Sequence, residues 1–321
     1  MILTITINPL LERRFSYDKI DFNKNCRGGA EQIKVGGKGI NVSRQLNALG
    51  TDNFAYTFYG GYNGKIIRDC LTKENIKFSG IRTQNETREC AVLIDISEKR
   101  AYTFFAQNTV VTEREAEEFM TKMEKMIENC EIVVFSGSSP CKATDNIFPY
   151  GIELANRYDK ISVCDSYGKH LKSCIEKKPT VIHNNVEEIA ESLNITLDNE
   201  EQKINLLNGL YKEGIKQTFL TDGGYPAYAS NFDFHYKIEN PAVAAVDSTG
   251  SGDSFVAGIV YGWHNNLTFE ESFSVASCLG AVNASRFEVC NVTEREFKPL
   301  LDEIRITPLG KKMKTIDVTP R

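Results

Sequence analysis

The chain of 321 residues predicts an α/β fold built on a mainly parallel sheet, and three features point there. Beyond Gly137, short apolar runs near 161–165, 180–183 and 217–221 alternate with helical stretches at 185–193 and 202–213. Alternation of that kind lays helices over a parallel sheet. The chain also opens on β-branched and apolar residues at 2–7, a strand ended by Asn8-Pro9. Its composition, 41% hydrophobic and 25% charged, is that of a globular protein long enough for one large domain or two smaller ones.

The remaining elements follow in order. Residues 38–49 carry Val42, Leu46 and Leu49 on one helical face, with Gly50 as a stop. Two β-rich runs, 89–96 and 101–106, joined by Ser97-Glu98-Lys99-Arg100, read as a hairpin. Thr112 with Glu115 forms a capping-box pair, and Phe119, Met123 and Met126 follow at helical spacing. A strand is expected at 131–137, strand-like sequence over 226–246, and helices at 252–264 and 268–285, the last opened by Thr268 with Glu271. The end of the chain, with Gly310-Lys311-Lys312, reads as a loose tail.

Charge and cysteine usage narrow the function classes. Thirty-eight basic and 43 acidic residues leave a net charge of −5, so no global field attracts nucleic acid or anionic lipid. Any anionic ligand must be held by a local set of donors. The nine cysteines are odd in number, show no C-x-x-C spacing and include several inside apolar runs, such as Cys164. They read as reduced thiols of a cytoplasmic protein. The opening MILTITINP lacks the basic region of a signal peptide, and the longest apolar stretch, near Phe255 to Trp263, is too short to span a bilayer. His170, His183, His235 and His264 show no ligand spacing.

The strongest chemical signal is Asp247-Ser248-Thr249-Gly250-Ser251-Gly252-Asp253, followed by an amphipathic helix. Two glycines let backbone N–H groups turn toward one point, and the helix start adds its positive dipole end. The product is an anion hole suited to a phosphoryl group in transfer. Asp253 beside it could accept a hydroxyl proton. A lone G-x-G would more simply be a glycine-rich helix cap. Here neither a G-x-x-x-x-G-K-[ST] loop nor G-x-G-x-x-G explains the glycines, since Phe255 breaks the latter. A second signal, Gly36-Gly37-Lys38-Gly39-Ile40-Asn41-Val42, opens the helix of 38–49 and supplies a cation and a two-way amide. By itself it is equally a tight turn with a solvated lysine.

Together GGKGINV and DSTGSGD resemble the two signatures of the ribokinase-like (PfkB) family, closest to its 1-phosphofructokinase and tagatose-6-phosphate kinase group. NP at 8–9, ETREC at 86–90, SGSSP at 136–140 and GSGDS at 250–254 fall in that group's order, and the resemblance runs from residue 2 to roughly residue 300. It implies a single three-layer αβα sandwich with a small β lid, roughly 10–35 and 87–109, and a homodimer joined through the lids. It implies ATP and Mg²⁺ as cofactors, with room for an activating monovalent cation as in some relatives. Asp253 matches the family base, and Gly250, Ser251 and Gly252 its anion hole. Glu12, Arg27, Gly37, Lys38, Asn41, Arg88 and Ser138 match acceptor-binding positions, Lys38 and Arg88 holding a phosphate already on the sugar. Asn185 and Glu188 match an N-x-x-E motif that orders Mg²⁺ and nucleotide phosphates. Thr221, Gly223, Thr249 and Asn283 match nucleotide-binding positions, Asn283 toward the adenine.

The chain departs from the pattern in four places. Glu12 stands where Asp is usual and grips sugar hydroxyls; His183-Asn184 replaces Lys-Pro; Pro226 replaces a glycine; Gln107-Asn108-Thr109 replaces a Gly-Pro stretch. The expected activity is phosphoryl transfer from ATP to a hexose monophosphate. Its rivals are a kinase for an unphosphorylated sugar or nucleoside, a weakly catalytic sugar-phosphate sensor, and a purely structural partner-binding protein.

Overall fold

The computed structural model describes residues 1–309, so the expected tail from Gly310 lies outside the described residues. The first half of the chain runs β1 (Ile2–Thr6), β2 (Leu10–Tyr17), β3 (Ala30–Gly36), α1 (Lys38–Ala48), β4 (Asn53–Gly60), α2 (Gly61–Lys73), β5 (Phe78–Thr83), β6 (Glu89–Asp95), β7 (Arg100–Phe105) and α3 (Glu113–Glu128). The second runs β8 (Ile132–Ser136), α4 (Ile147–Arg157), β9 (Ile161–Asp165), α5 (Leu171–Glu176), β10 (Val181–Asn185), α6 (Val186–Leu193), α7 (Glu200–Lys212), β11 (Gln217–Asp222), β12 (Tyr225–Asn231), β13 (Phe234–Glu239), α8 (Ser251–His264), α9 (Phe269–Ala284) and β14 (Arg305–Leu309).

Ten strands form the main sheet in the order β14-β13-β12-β11-β10-β9-β8-β1-β4-β5. It is parallel from β11 to β5, and β12, β13 and β14 extend one edge antiparallel. One face packs on α3, α4, α6 and α7 through Phe119, Phe148, Ile189 and Leu207. The other packs on α1, α8 and α9 through Val42, Val256 and Phe273. The period of two in β1 shows both contacts at once, with Leu3 and Ile5 in the first layer and Ile2 in the second. The expected three-layer α/β sandwich is therefore what the chain forms.

A second sheet, β3-β2-β6-β7, stands apart from the first and occupies the segments expected for a lid. Its β6–β7 pair is the predicted hairpin. One reading needs correction. The strand-like stretch of 226–246 ends at Glu239. Pro241 cannot donate to a ladder, and beyond it the chain is tied to the end of α9, where Ala284 O accepts from Val246 N (2.7 Å) and Asp247 N (3.1 Å). The regular elements of 53–83 and 147–157 carried no reading at all. For α2 the reason is that no side chain caps it from the preceding residue, and Glu86 Oε1, 23 residues from Asn63, accepts from Asn63 N instead at 2.5 Å.

Candidate active site

The parallel strands set the site's position. β1 and β8 are neighbours, but from them the chain proceeds outward in opposite directions, to β4 and β5 on one side and β9, β10 and β11 on the other. A crevice opens at the carboxyl ends of strands at such a switch point. Into it come Asn8 after β1, Ser138 after β8, Asp165 at the tip of β9, His183 and Asn185 on β10, and Thr221 on β11. Asn8 Nδ2 joins the two central strands by donating to Ser138 Oγ at 3.2 Å.

The glycine turn before α8 closes over this crevice. Gly250 is the cap, with φ of 77°, and a Cβ there would run into Val289 and Cys290, so only glycine fits. Ser251 N donates to Ser248 O (3.0 Å) and Ser254 N to Gly250 O (2.8 Å), whereas the amides of Gly252 and Asp253 find no acceptor among the described residues. Unpaired N–H groups at a helix start favour an anion in front of them. The turn is braced from behind by Asn283, fully buried, whose Nδ2 donates to Thr249 O (2.8 Å) and Ser251 Oγ (3.1 Å) while its Oδ1 accepts from Cys290 N (2.7 Å). The amide expected near the adenine is thus spent on holding the turn.

Asp253 is buried beside these amides, and Asn41 Nδ2 donates to its Oδ2 at 2.7 Å. Burial pushes its carboxyl up to about 7; Lys38 and Asn41 oppose the rise, and the nearby carboxylates of Asp165 and Glu188 add to it. Lys38 lies within reach of all three acids. Its Nζ donates to Glu188 Oε1 at 2.9 Å and stands 3.6 Å from Asp165 Oδ1. Burial alone would lower the lysine, but the three carboxylates outweigh it and hold the ammonium charged. Asp165 is pulled down despite complete burial, because Lys38, His183 and Ser136 all stabilise its charge. Ser136 Oγ donates to Asp165 Oδ2 (2.6 Å), and His183 bridges Asp165 Oδ1 (2.9 Å) and Thr221 Oγ1 (3.2 Å) while stacking on Phe255.

The other expected residues divide. Asn185 caps α6 by accepting from Glu188 N at 2.7 Å, which aims the Glu188 carboxylate at Lys38. Gly37 (φ 128°) lets the chain turn into α1 close against Thr6, and Gly223 and Thr249 lie exposed at the mouth. Arg88 donates from Nη1 to Asn108 Oδ1 (2.8 Å) and from Nη2 to Asn8 O (3.3 Å), lies over the Phe105 ring, and keeps a buried Nε with no partner among the described residues. Lys38 and Arg88, expected as a pair, are engaged separately: Lys38 with the carboxylates, Arg88 with the edge of the small sheet. Glu12 lines a cleft of about 550 Å³ under that sheet, its Oε2 accepting from Arg14 Nη1 at 3.3 Å. Arg27 is exposed in the loop between β2 and β3 and makes no side-chain hydrogen bond among the described residues, so the structure does not bring it to the others.

Three site residues carried no reading from the sequence. Asp165 ends the run ISVCD, which signals only a strand. Arg14 lies in β2, buried, its Nη2 donating to Phe287 O (3.0 Å) and 3.7 Å from Asp247 Oδ2. Arg44 bonds Asn41; its spacing of three from Asn41 on a helix was the available clue.

A buried carboxyl, a lysine and uncommitted helix-start amides around one crevice define a phosphotransferase-type site. Comparison with known proteins gives the family: residues 12–295 match the pfkB family carbohydrate kinases, and the chain belongs to that family. It is 28% identical over 310 residues to a tagatose-6-phosphate kinase of Staphylococcus epidermidis, covering 95% of this chain and 99% of that one. Its fold is shared with a possible 1-phosphofructokinase of Thermotoga maritima (TM-score 0.88, 23% identity, 96% and 99% covered). It is shared also with phosphofructokinase-2 of Escherichia coli in complex with potassium (TM-score 0.86, 20% identity, 94% and 98% covered).

Proposed function

We propose that this carbohydrate kinase transfers the terminal phosphoryl group of ATP to a hydroxyl of a hexose monophosphate, with Asp253 as base. The observation that carries the reading is the juxtaposition of Asp253 with the unpartnered amides of Gly252 and Asp253 itself at the start of α8. Asp253 takes the proton of the attacking hydroxyl. The two amides hold the transferring group as its charge spreads, and the positive end of α8 adds to them. Lys38 neutralises the crowd of carboxylates behind the reaction centre, which keeps an anionic nucleotide from being repelled. Arg88, bonded to Asn8 O beside the crevice, supplies the cation for the phosphate already on the acceptor.

Mg²⁺ fits this reading as a partly hydrated ion. Among the described residues no group of three or more His, Cys, Asp or Glu forms a cage. Glu188 is a single accessible carboxylate, which suffices for an ion held mainly by phosphates and water. Asn185 serves by fixing the start of α6. The bound ion would neutralise charge on the phosphates.

The reading extends to a homodimer through the lid sheet, because β7 is an edge strand with Phe104 and Phe105 exposed. ADP release tests the whole proposal, measured with fructose 1-phosphate, tagatose 6-phosphate, fructose 6-phosphate and their unphosphorylated counterparts. Release only with a phosphorylated hexose is expected. Binding of these sugars without release marks a sensor, and release only with an uncharged acceptor marks the rival kinase.

A further inference from the structure

Asp253 has one uncharged hydrogen-bond partner, Asn41, and the two ends of an asparagine amide differ little in shape. Which end faces the carboxylate is decided by the other neighbour. That neighbour is Arg44, three residues along α1, whose Nη1 donates to Asn41 Oδ1 at 2.6 Å. A guanidinium has donors only, so nothing but the amide oxygen can face it. Asn41 Nδ2 is thereby turned to Asp253 Oδ2, 2.7 Å away.

Arg44 is itself clamped. Its Nε donates to Glu74 Oε2 at 2.6 Å and its Nη2 to Val35 O at 2.7 Å. Both contacts are mostly shielded from water, with side-chain exposures of 13% for Arg44 and 23% for Glu74. The chain of contacts therefore runs from the end of α2 through α1 to the start of α8, each link charge-assisted and fixed in direction. A planar fork held at three points cannot rotate without breaking all three.

We infer that Arg44 is a positioning residue for the transfer reaction: held by Glu74 and Val35, it locks the amide of Asn41 so that an N–H always faces Asp253 Oδ2 and the second carboxylate oxygen stays open to the acceptor hydroxyl. Released from Arg44, the Asn41 amide could present its oxygen instead, an arrangement that favours a proton on the group meant to receive one. The inference rests on Asp253 being the base. It goes beyond that reading in naming how the base is kept in its accepting form.

A double-mutant cycle decides. Arg44→Ala and Asn41→Ala, singly and together, are assayed for kcat and for both KM values. If Arg44 works through Asn41, each single change lowers kcat by about 10- to 100-fold, within the range of coupling inside one hydrogen-bonded network. The KM for ATP stays within about twofold, and the double variant is no slower than the slower single one. Guanidinium ion should restore turnover to Arg44→Ala and leave Asn41→Ala unmoved. Multiplicative losses, or an Arg44→Ala enzyme with normal kcat, overturn the inference, since a purely structural tie would act independently of Asn41. If Arg44→Ala does not fold, the same cycle with Arg44→Lys decides by the same criterion, because an ammonium keeps a charge for Glu74 and gives up the fork that reaches Asn41 and Val35 together. Asp253→Asn runs alongside. Its retaining turnover removes the base reading; its losing turnover beside a multiplicative cycle removes only the role given to Arg44.

Discussion

The floor of the cleft and the small sheet above it are built on opposite terms. On the floor every charge already has a partner: Lys38 with Glu188 and Asp165, Asp165 with Ser136 and His183, Asp253 with Asn41. At the edge of the small sheet Arg88 keeps a buried Nε without a partner among the described residues, Arg27 is exposed in the β2–β3 loop, and Phe104 and Phe105 on β7 are exposed. A floor whose charges are already paired, with two helix-start amides left open, needs little reorganisation when charge develops on it. A sheet with donors and apolar surface left over is organised by what arrives. On the proposed function, chemistry falls to the floor and recognition to the sheet.

The hardest blow to that contrast falls on the floor. Asp253→Asn is expected to lose about 10²–10⁴ in kcat while still binding ATP, the usual contribution of a general base. The same change should raise thermal stability. The folded carboxyl sits near 7, against roughly 3.9 in the unfolded chain. The folded state thus holds this proton more tightly, and the stability this lends at low pH is lost as pH rises between the two values. The melting temperature of Asp253→Asn should exceed that of the natural protein at pH 8, with the gap narrowing toward pH 4. A variant less stable at pH 8 would contradict the burial argument.

Recognition comes next. Arg88→Ala should raise the KM for a phosphorylated acceptor by about 10- to 100-fold, as expected for a lost charged hydrogen bond of about 1.5–3 kcal/mol. The KM for ATP should hold, and an equal rise in both would move Arg88 to the floor's side of the comparison. A smaller effect is read in the pH profile: kcat/KM should fall about tenfold per unit below an apparent pKa near 7 and level off above it. A profile flat down to pH 5 would exclude Asp253 as the titrating base. Smallest for turnover, Phe104→Asp with Phe105→Asp should turn a dimer into a monomer in sedimentation at micromolar concentration. An unchanged sedimentation coefficient would place the subunit contact elsewhere or nowhere.

The same division explains what the sequence disclosed. The floor was legible where function is written in local pattern: the glycines of 250–252 with Asp253, and those of 36–39 with Lys38 and Asn41. Asp165 was silent, because it acts through contacts made only when separate elements meet, and Arg44 was marked only by its spacing of three from Asn41 on α1. The capping boxes at Thr112 and Thr268 were read directly and are present. The start of α2 was not, since its cap comes from Glu86, far along the chain, and no spacing rule reaches that distance. Asn283 was matched by resemblance toward the nucleotide, and no local pattern announced the bonds that its buried amide makes to the turn.

That last residue carries a consequence for how the molecule is made. The parallel strands are complete at residue 222, but the Gly250 turn is secured by Asn283, and α1 is tied by Gln45 to Val292 in both directions. A ribosome must therefore add some seventy further residues after the last parallel strand before the catalytic corner can set. Nascent chains arrested before residue 283 should resist protease across β1 to β11 and yet turn over no ATP, so that birth of the scaffold and birth of the enzyme are separate events in time; activity in such a truncated chain would show that the corner sets without its brace.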